Sequence, residues 1–260
     1  MFKKILQISV LAVMLSAVAS AADWSNTIAA VTHNGALYSI EKSGVLYRTD
    51  LSNGQYVQVG KSEFANTAKM FSGPKNLFTI ETDGTLYRIE PSSGAWTRVG
   101  KAGDYKGTLA GVFSGTRLFT VSSGALYGTN PISGAWAQVG KAEFGGTRWL
   151  FDGGNKLFSI ESDGTMYRID LSGSWIRTGK AGDWKNTKAG ASMDGIVYTV
   201  ETGGALYATN PETGTWKQLG KAEFANTMFL FAEGGWLYTM EKAGLYKIST
   251  TDGSWSQIDK

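Results

Sequence analysis

The chain has 260 residues, 42% hydrophobic, 12% aromatic and only 18% charged, with 34 Gly, 4 Pro and no Cys. The absence of sulfhydryls excludes a disulfide scaffold, thiolate metal sites, cysteine nucleophiles and thiol redox chemistry, and the single His33 excludes a histidine-rich metal centre. The formal charge is +3, and without Lys3 and Lys4 the 25 basic residues become 23 against 22 acidic ones, so neither nucleic acid nor an anionic membrane is expected as partner.

The first residues read as an export signal. Lys3 and Lys4 precede an apolar run, Ile5 to Ala19, that is too short to span a bilayer, and Ala19-Ser20-Ala21 offers the small residues of a cleavage site. A cut after Ala21 leaves residues 22–260 as one mature domain, secreted or periplasmic, with no later stretch apolar over a membrane thickness.

Beyond the signal the chain repeats itself. Thr27, Thr67, Thr108, Thr147, Thr187 and Thr227 stand 40, 41, 39, 40 and 40 residues apart. After each comes an apolar segment, a pair such as Leu77-Phe78, a Gly turn, a second pair such as Leu86-Tyr87, another Gly turn, and an aromatic. That closing aromatic is Tyr56, Trp96, Trp136, Trp175, Trp216 and Trp255 in turn. Apolar and polar residues alternate with a period near two, as in Leu77-Phe78-Thr79-Ile80-Glu81, and runs stop at pairs such as Asp83-Gly84. Four short strands in about 40 residues, repeated six times, predict an all-β, six-bladed propeller.

The ends of the chain complete the count. The last unit breaks off at Lys260, and the piece it lacks, matching Ala181-Gly-Asp-Trp-Lys-Asn-Thr187, stands at Ala21-Ala-Asp-Trp-Ser-Asn-Thr27. The two termini are therefore expected to meet at one blade or its connection, leaving no open sheet edge. A second period doubles the first. Odd units begin with small residues, as in Ala29-Ala30-Val31, and even units with bulky ones, as in Trp149-Leu150-Phe151. The ring is then three pairs of blades.

Gly84-Thr-Leu-Tyr-Arg88 followed by Gly94-Ala-Trp-Thr-Arg-Val-Gly100 resembles the tectonin and tachylectin repeats, with Leu-Tyr or Leu-Phe where those have Trp-Gly. The resemblance implies a propeller lectin that recognises glycans without catalysis, in repeated pockets at or between blades. No cofactor and no metal are expected. An enzyme is not expected. His33 is the only imidazole available to a triad, and near-identical repeats single out no catalytic carboxylate pair. The alternative is a non-catalytic scaffold that binds a protein at the cell surface or in the periplasm.

Candidate ligand-binding residues lie in the phrases that join the units: Asp23-Trp24, Glu63-Phe64, Asp104-Tyr105, Glu143-Phe144, Asp183-Trp184 and Glu223-Phe224. A carboxylate beside an aromatic supplies what a sugar needs, an acceptor for hydroxyls and an apolar face to stack on. Trp24, Tyr105 and Trp184 carry a polar group that Phe lacks, so their joints are expected to form three principal sites. The Trp residues that close each unit are expected to be core between sheets. Arg48, Arg88, Arg168 and Lys247 are expected to pair with surface carboxylates, and His33 to be a solvated loop residue.

Overall fold

The computed structural model describes residues 23–259; the export signal expected over residues 1–21 lies outside them. Among the described residues all the regular structure is β, and it forms a six-bladed propeller. In the first blade, β1 (Thr27–His33), β2 (Ala36–Glu41), β3 (Leu46–Asp50) and β4 (Tyr56–Val59) pair antiparallel in chain order from the axis outward. Five more meanders of the same order follow over residues 67–99, 108–139, 147–178, 187–219 and 229–257. The innermost strand of the sixth blade touches β1, which closes the ring.

Alternation makes each blade two-sided. Along the middle strands, side chains of one parity face the preceding blade and the rest face the following one, so both faces are apolar. Leu37, Ile40 and Leu46 have no exposed surface, nor do Leu77, Leu86 and Ile89 in the second blade. Each such side chain contributes about 1.5 to 3 kcal/mol by leaving water.

The alternation of small and bulky inner strands becomes two kinds of blade boundary. Between the first and second blades, Ala29, Tyr38, Leu46 and Val59 pack with Met70, Leu77 and Ile89. Between the second and third, Phe71 and Phe78 pack with Ile80, Leu86 and Leu118. Phe71 needs the small residue opposite it, because a Cβ on Gly111 would stand 2.9 Å from its ring. The same device recurs where Phe151 meets Gly190.

The joining phrases are pinned by their backbones. The amides of Phe64, Tyr105, Phe144, Trp184 and Phe224 donate to Gly44, Gly84, Gly124, Gly164 and Gly204, each in a turn of the blade just completed. Gly84 has φ +85°, and a Cβ there would collide with the backbone of Lys106, so this turn admits only glycine. At the ring closure the amide of Trp24 makes the equivalent bond, 2.9 Å, to the carbonyl of Lys242 in the sixth blade. The N-terminal segment thus acts as the sixth joint. Asp259 seals it: its buried carboxylate accepts the Trp24 indole N–H at 2.8 Å and the Leu245 amide at 2.8 Å. The two ends of the described residues meet as expected, in the connection and with every blade drawn from one stretch of chain.

Candidate functional site

The aromatic residues of the joints do not form a surface. Trp24, Phe64, Tyr105, Phe144, Trp184 and Phe224 are between 3% and 6% exposed, wedged between blades with Val59, Val139, Leu219 and their equivalents. Six rings sealed in this way offer no face on which a sugar can stack, which corrects the expectation for those positions. The polar groups of Trp24, Tyr105 and Trp184 also point inward. They donate to Asp259, to the carbonyl of Gly134 at 3.5 Å and to the Thr209 hydroxyl at 3.4 Å respectively, so they do not distinguish three of the joints as ligand sites.

The aromatic residues expected to be core are the ones at the surface. Trp96, Trp136, Trp175, Trp216 and Trp255, on the outermost strands, are between 40% and 51% exposed. The outermost strand has no further sheet beyond it. A large ring there is left about half in water. Each ring is flanked by the Tyr of the neighbouring strand, Tyr87, Tyr127, Tyr167, Tyr207 or Tyr246, in edge-to-face contact with centroids 4.9 to 5.3 Å apart. In the second blade Trp96 stands opposite Ile89, so Tyr87, two residues before Ile89, is its diagonal neighbour on the same face.

The carboxylates of the joints meet these same rings. The indole N–H groups of Trp96, Trp136, Trp175, Trp216 and Trp255 donate to Glu63 at 3.0 Å, Asp104 at 3.3 Å, Glu143 at 2.9 Å, Asp183 at 3.2 Å and Glu223 at 3.2 Å. In every case one carboxylate oxygen takes the indole. The other has no protein donor among the described residues. The structure therefore brings the predicted acids together with an aromatic 32 or 33 residues further along the chain, and separates them from the aromatic next in sequence. The first blade departs from the pattern, with Tyr56 at the strand position and Asp23 bonded instead to the Ser25 amide at 2.9 Å.

In the fourth blade the arrangement deepens into a cavity of about 270 Å³ lined by Glu143, Glu161, Asp163, Tyr167 and Trp175. Burial pushes the Glu161 carboxyl above its ordinary value, opposed by hydrogen bonds from the Thr147 hydroxyl at 2.7 Å and the Ser159 hydroxyl at 2.9 Å. A carboxyl that keeps its proton to higher pH when folded stabilises the fold fully below its unfolded pKa, about 4.3, and that contribution is lost as pH rises through the raised folded value. Glu161→Gln is therefore expected to gain stability relative to the wild type between about pH 4 and pH 7. Urea midpoints at the two pH values measure it, and a constant difference would contradict the shift.

Other expectations resolve individually. Arg168 pairs with Glu212 at 3.3 Å, and Lys156 joins the same carboxylate at 2.8 Å. Lys247 instead lies 4.0 Å over the ring of Trp236. No ion pair forms at Arg48 or Arg88 among the described residues. His33 is buried rather than solvated, because its Nδ1 bonds the Ser72 hydroxyl of the next blade at 2.9 Å.

No protein-family model matches the chain, and no curated protein matches it. Solved propellers do. PorZ, an essential bacterial surface component of the type-IX secretion system of Porphyromonas gingivalis, is 14% identical with a TM-score of 0.61 over 90% of this chain and 33% of its own. The computationally designed Ika8 protein is 16% identical with a TM-score of 0.56 over 88% of this chain and 72% of its own. The extracellular domain of a protein from B. thetaiotaomicron is 11% identical with a TM-score of 0.58 over 89% and 36%. The chain thus spans about a third of the length of the two natural proteins. At such identities the likeness is one of fold.

Proposed function

We propose that the protein is an exported, non-catalytic lectin whose glycan sites lie on the outer rim of the ring. The observation that carries this reading is the repeated pair of a half-exposed indole and a carboxylate that holds it by the N–H. The bond fixes the ring's orientation, so little side-chain freedom is lost when a pyranose stacks on the open face. The free carboxylate oxygen accepts a sugar hydroxyl in a charge-assisted bond. Five such sites on one rigid frame multiply a weak contact into firm binding to a glycan-covered surface. Both Glu and Asp joints build the pair, so the sites are expected to number about five, with Tyr56 as a weaker sixth. Export agrees with the cationic and apolar segment before Ala21 and with the surface location of PorZ.

A glycan array on residues 22–260, run with and without chelator, tests the class of ligand. The site is tested by Trp216→Ala, expected to weaken binding to the isolated sugar site by about 1 to 3 kcal/mol, as loss of an aromatic platform does for a stacked base. Titration calorimetry gives both stoichiometry and affinity. Since Trp216 is half exposed, the melting temperature should move little. The rim also exposes Val57 and Ile176, which favour a protein as the second reading. Silence across the array, with Trp216→Ala losing a captured protein instead, would establish that one.

A further inference from the structure

The rim pairs share one design, but the fourth blade departs from it beside the indole. The residue just before each register threonine is Asn26, Asn66, Asn186 or Asn226 in four units and Gly107 or Gly146 in the other two. Across the first hairpin, Thr147 of the fourth blade stands opposite Glu161, whereas Thr108 of the third stands opposite Ser122. The fourth blade alone combines the glycine with an acid.

The missing side chain leaves a gap in front of that acid. A Cβ on Gly146 would stand 2.9 Å from Oε2 of Glu161 and 3.3 Å from the Ser162 hydroxyl. In the fifth blade burial raises the Glu201 carboxyl, and a hydrogen bond from the Asn186 side chain opposes the rise. Glu161 has no such amide. The two hydroxyls that reach it, from Thr147 and Ser159, both bond Oε1, so Oε2 is left without a donor among the described residues. Glu161 and Gly146 both line the cavity of about 270 Å³.

Two more carboxylates line that cavity, Glu143 and Asp163, and no basic side chain does. Each has one oxygen engaged, by the Trp175 indole N–H at 2.9 Å and by the Thr165 amide at 2.9 Å respectively. None of the three acids forms a salt bridge among the described residues. The charge of Asp163 adds to burial in raising Glu161, so negative charge is gathered here with nothing to offset it. Among the described residues no three acids are placed to hold a metal ion. The complement is therefore a cation with a body, and the rings of Trp175 and Tyr167 supply an aromatic wall that suits both.

We propose that the fourth-blade rim site takes a sugar bearing a free, protonated amino group, with the ammonium in the gap left by Gly146 against Glu161 and the sugar ring against Trp175. This rests on the lectin reading above and narrows its ligand at one of the five sites. The same sugar with its amine acetylated brings no charge to the gap and binds as it would at any other rim pair.

The probes are glucosamine, galactosamine and mannosamine, each beside its N-acetyl counterpart, read by the indole N–H resonances of the ¹⁵N-labelled protein at neutral pH. The Trp175 resonance is identified by its absence from Trp175→Phe. At least one free amino sugar should titrate it about tenfold more tightly than the acetylated form, the difference expected for one charge-assisted contact. Gly146→Asn, which restores the residue of four other units, should abolish that preference, and Glu161→Gln should cut it to about threefold or less. Equal titration of Trp175 by free and acetylated sugars overturns the proposal while leaving the lectin reading in place. So does a preference that survives Glu161→Gln, which would come from size and not from charge. Sugars that move no rim indole at all overturn both readings. Butylamine is the last probe: a shift of Trp175 with it, when no amino sugar gives one, would overturn the sugar as the source of the ammonium.

Discussion

Trp184→Ala is expected to destabilise the protein by about 3 to 5 kcal/mol, the range for deleting a large aromatic from a packed core. The ring is 3% exposed and packs with Phe151, Phe158, Ile160 and Met166 of the fourth blade and Val197 of the fifth. Blades cannot slide to refill that space, because the Trp184 amide is tied to the Gly164 carbonyl at 3.1 Å and the Thr187 amide to Trp184 at 3.1 Å. Denaturant unfolding measures the loss. A change below about 1 kcal/mol, the level of ordinary surface substitutions, would mean the joint aromatics are not the wedges between blades. Placed beside Trp216→Ala, which should lose ligand and keep stability, this variant separates core from site.

Asp259→Ala should open the ring at its one covalent gap. Five joints are held by the chain itself, whereas the joint between the sixth and first blades is held only by non-covalent contacts. Removing the carboxylate strands two buried donors, the Trp24 indole and the Leu245 amide, at about 1 to 3 kcal/mol each. The first and sixth blades should show the effect first, as hydrogen exchange that rises around β1 and residues 229–257 before the rest. Uniform exchange across all six blades would indicate that closure does not depend on this residue.

Much of the architecture is written in the chain, because a repeat states the same physical requirement six times. The Thr register, the Gly turns and the match between the first and last segments determine the number of blades and where the ring closes. The exchange of small for bulky residues in the inner strands determines the two kinds of boundary, through volume alone: Phe71 fits only because Gly111 leaves room. The acidic residues at the joints were legible as a recurring surface feature for the same reason, since the same carboxylate returns in every unit.

What the repeat leaves open is which of two recurring aromatics is wedge and which lies at the surface. Each unit contains Trp, Tyr or Phe both in the joint and on the last strand, and periodicity is blind to depth. Depth is decided by the position of the strand in the sheet. The joint passes between two blades near the core, where a ring is covered on both sides, and the outermost strand has water beyond it. The partner of each carboxylate followed from this too, because the meander folds an indole 32 or 33 residues away onto the rim beside it while the adjacent ring turns inward. His33 obeys the same rule, since its Nδ1 partner Ser72 comes from the next blade and its burial is set by the packing of blades and by no feature of the local sequence.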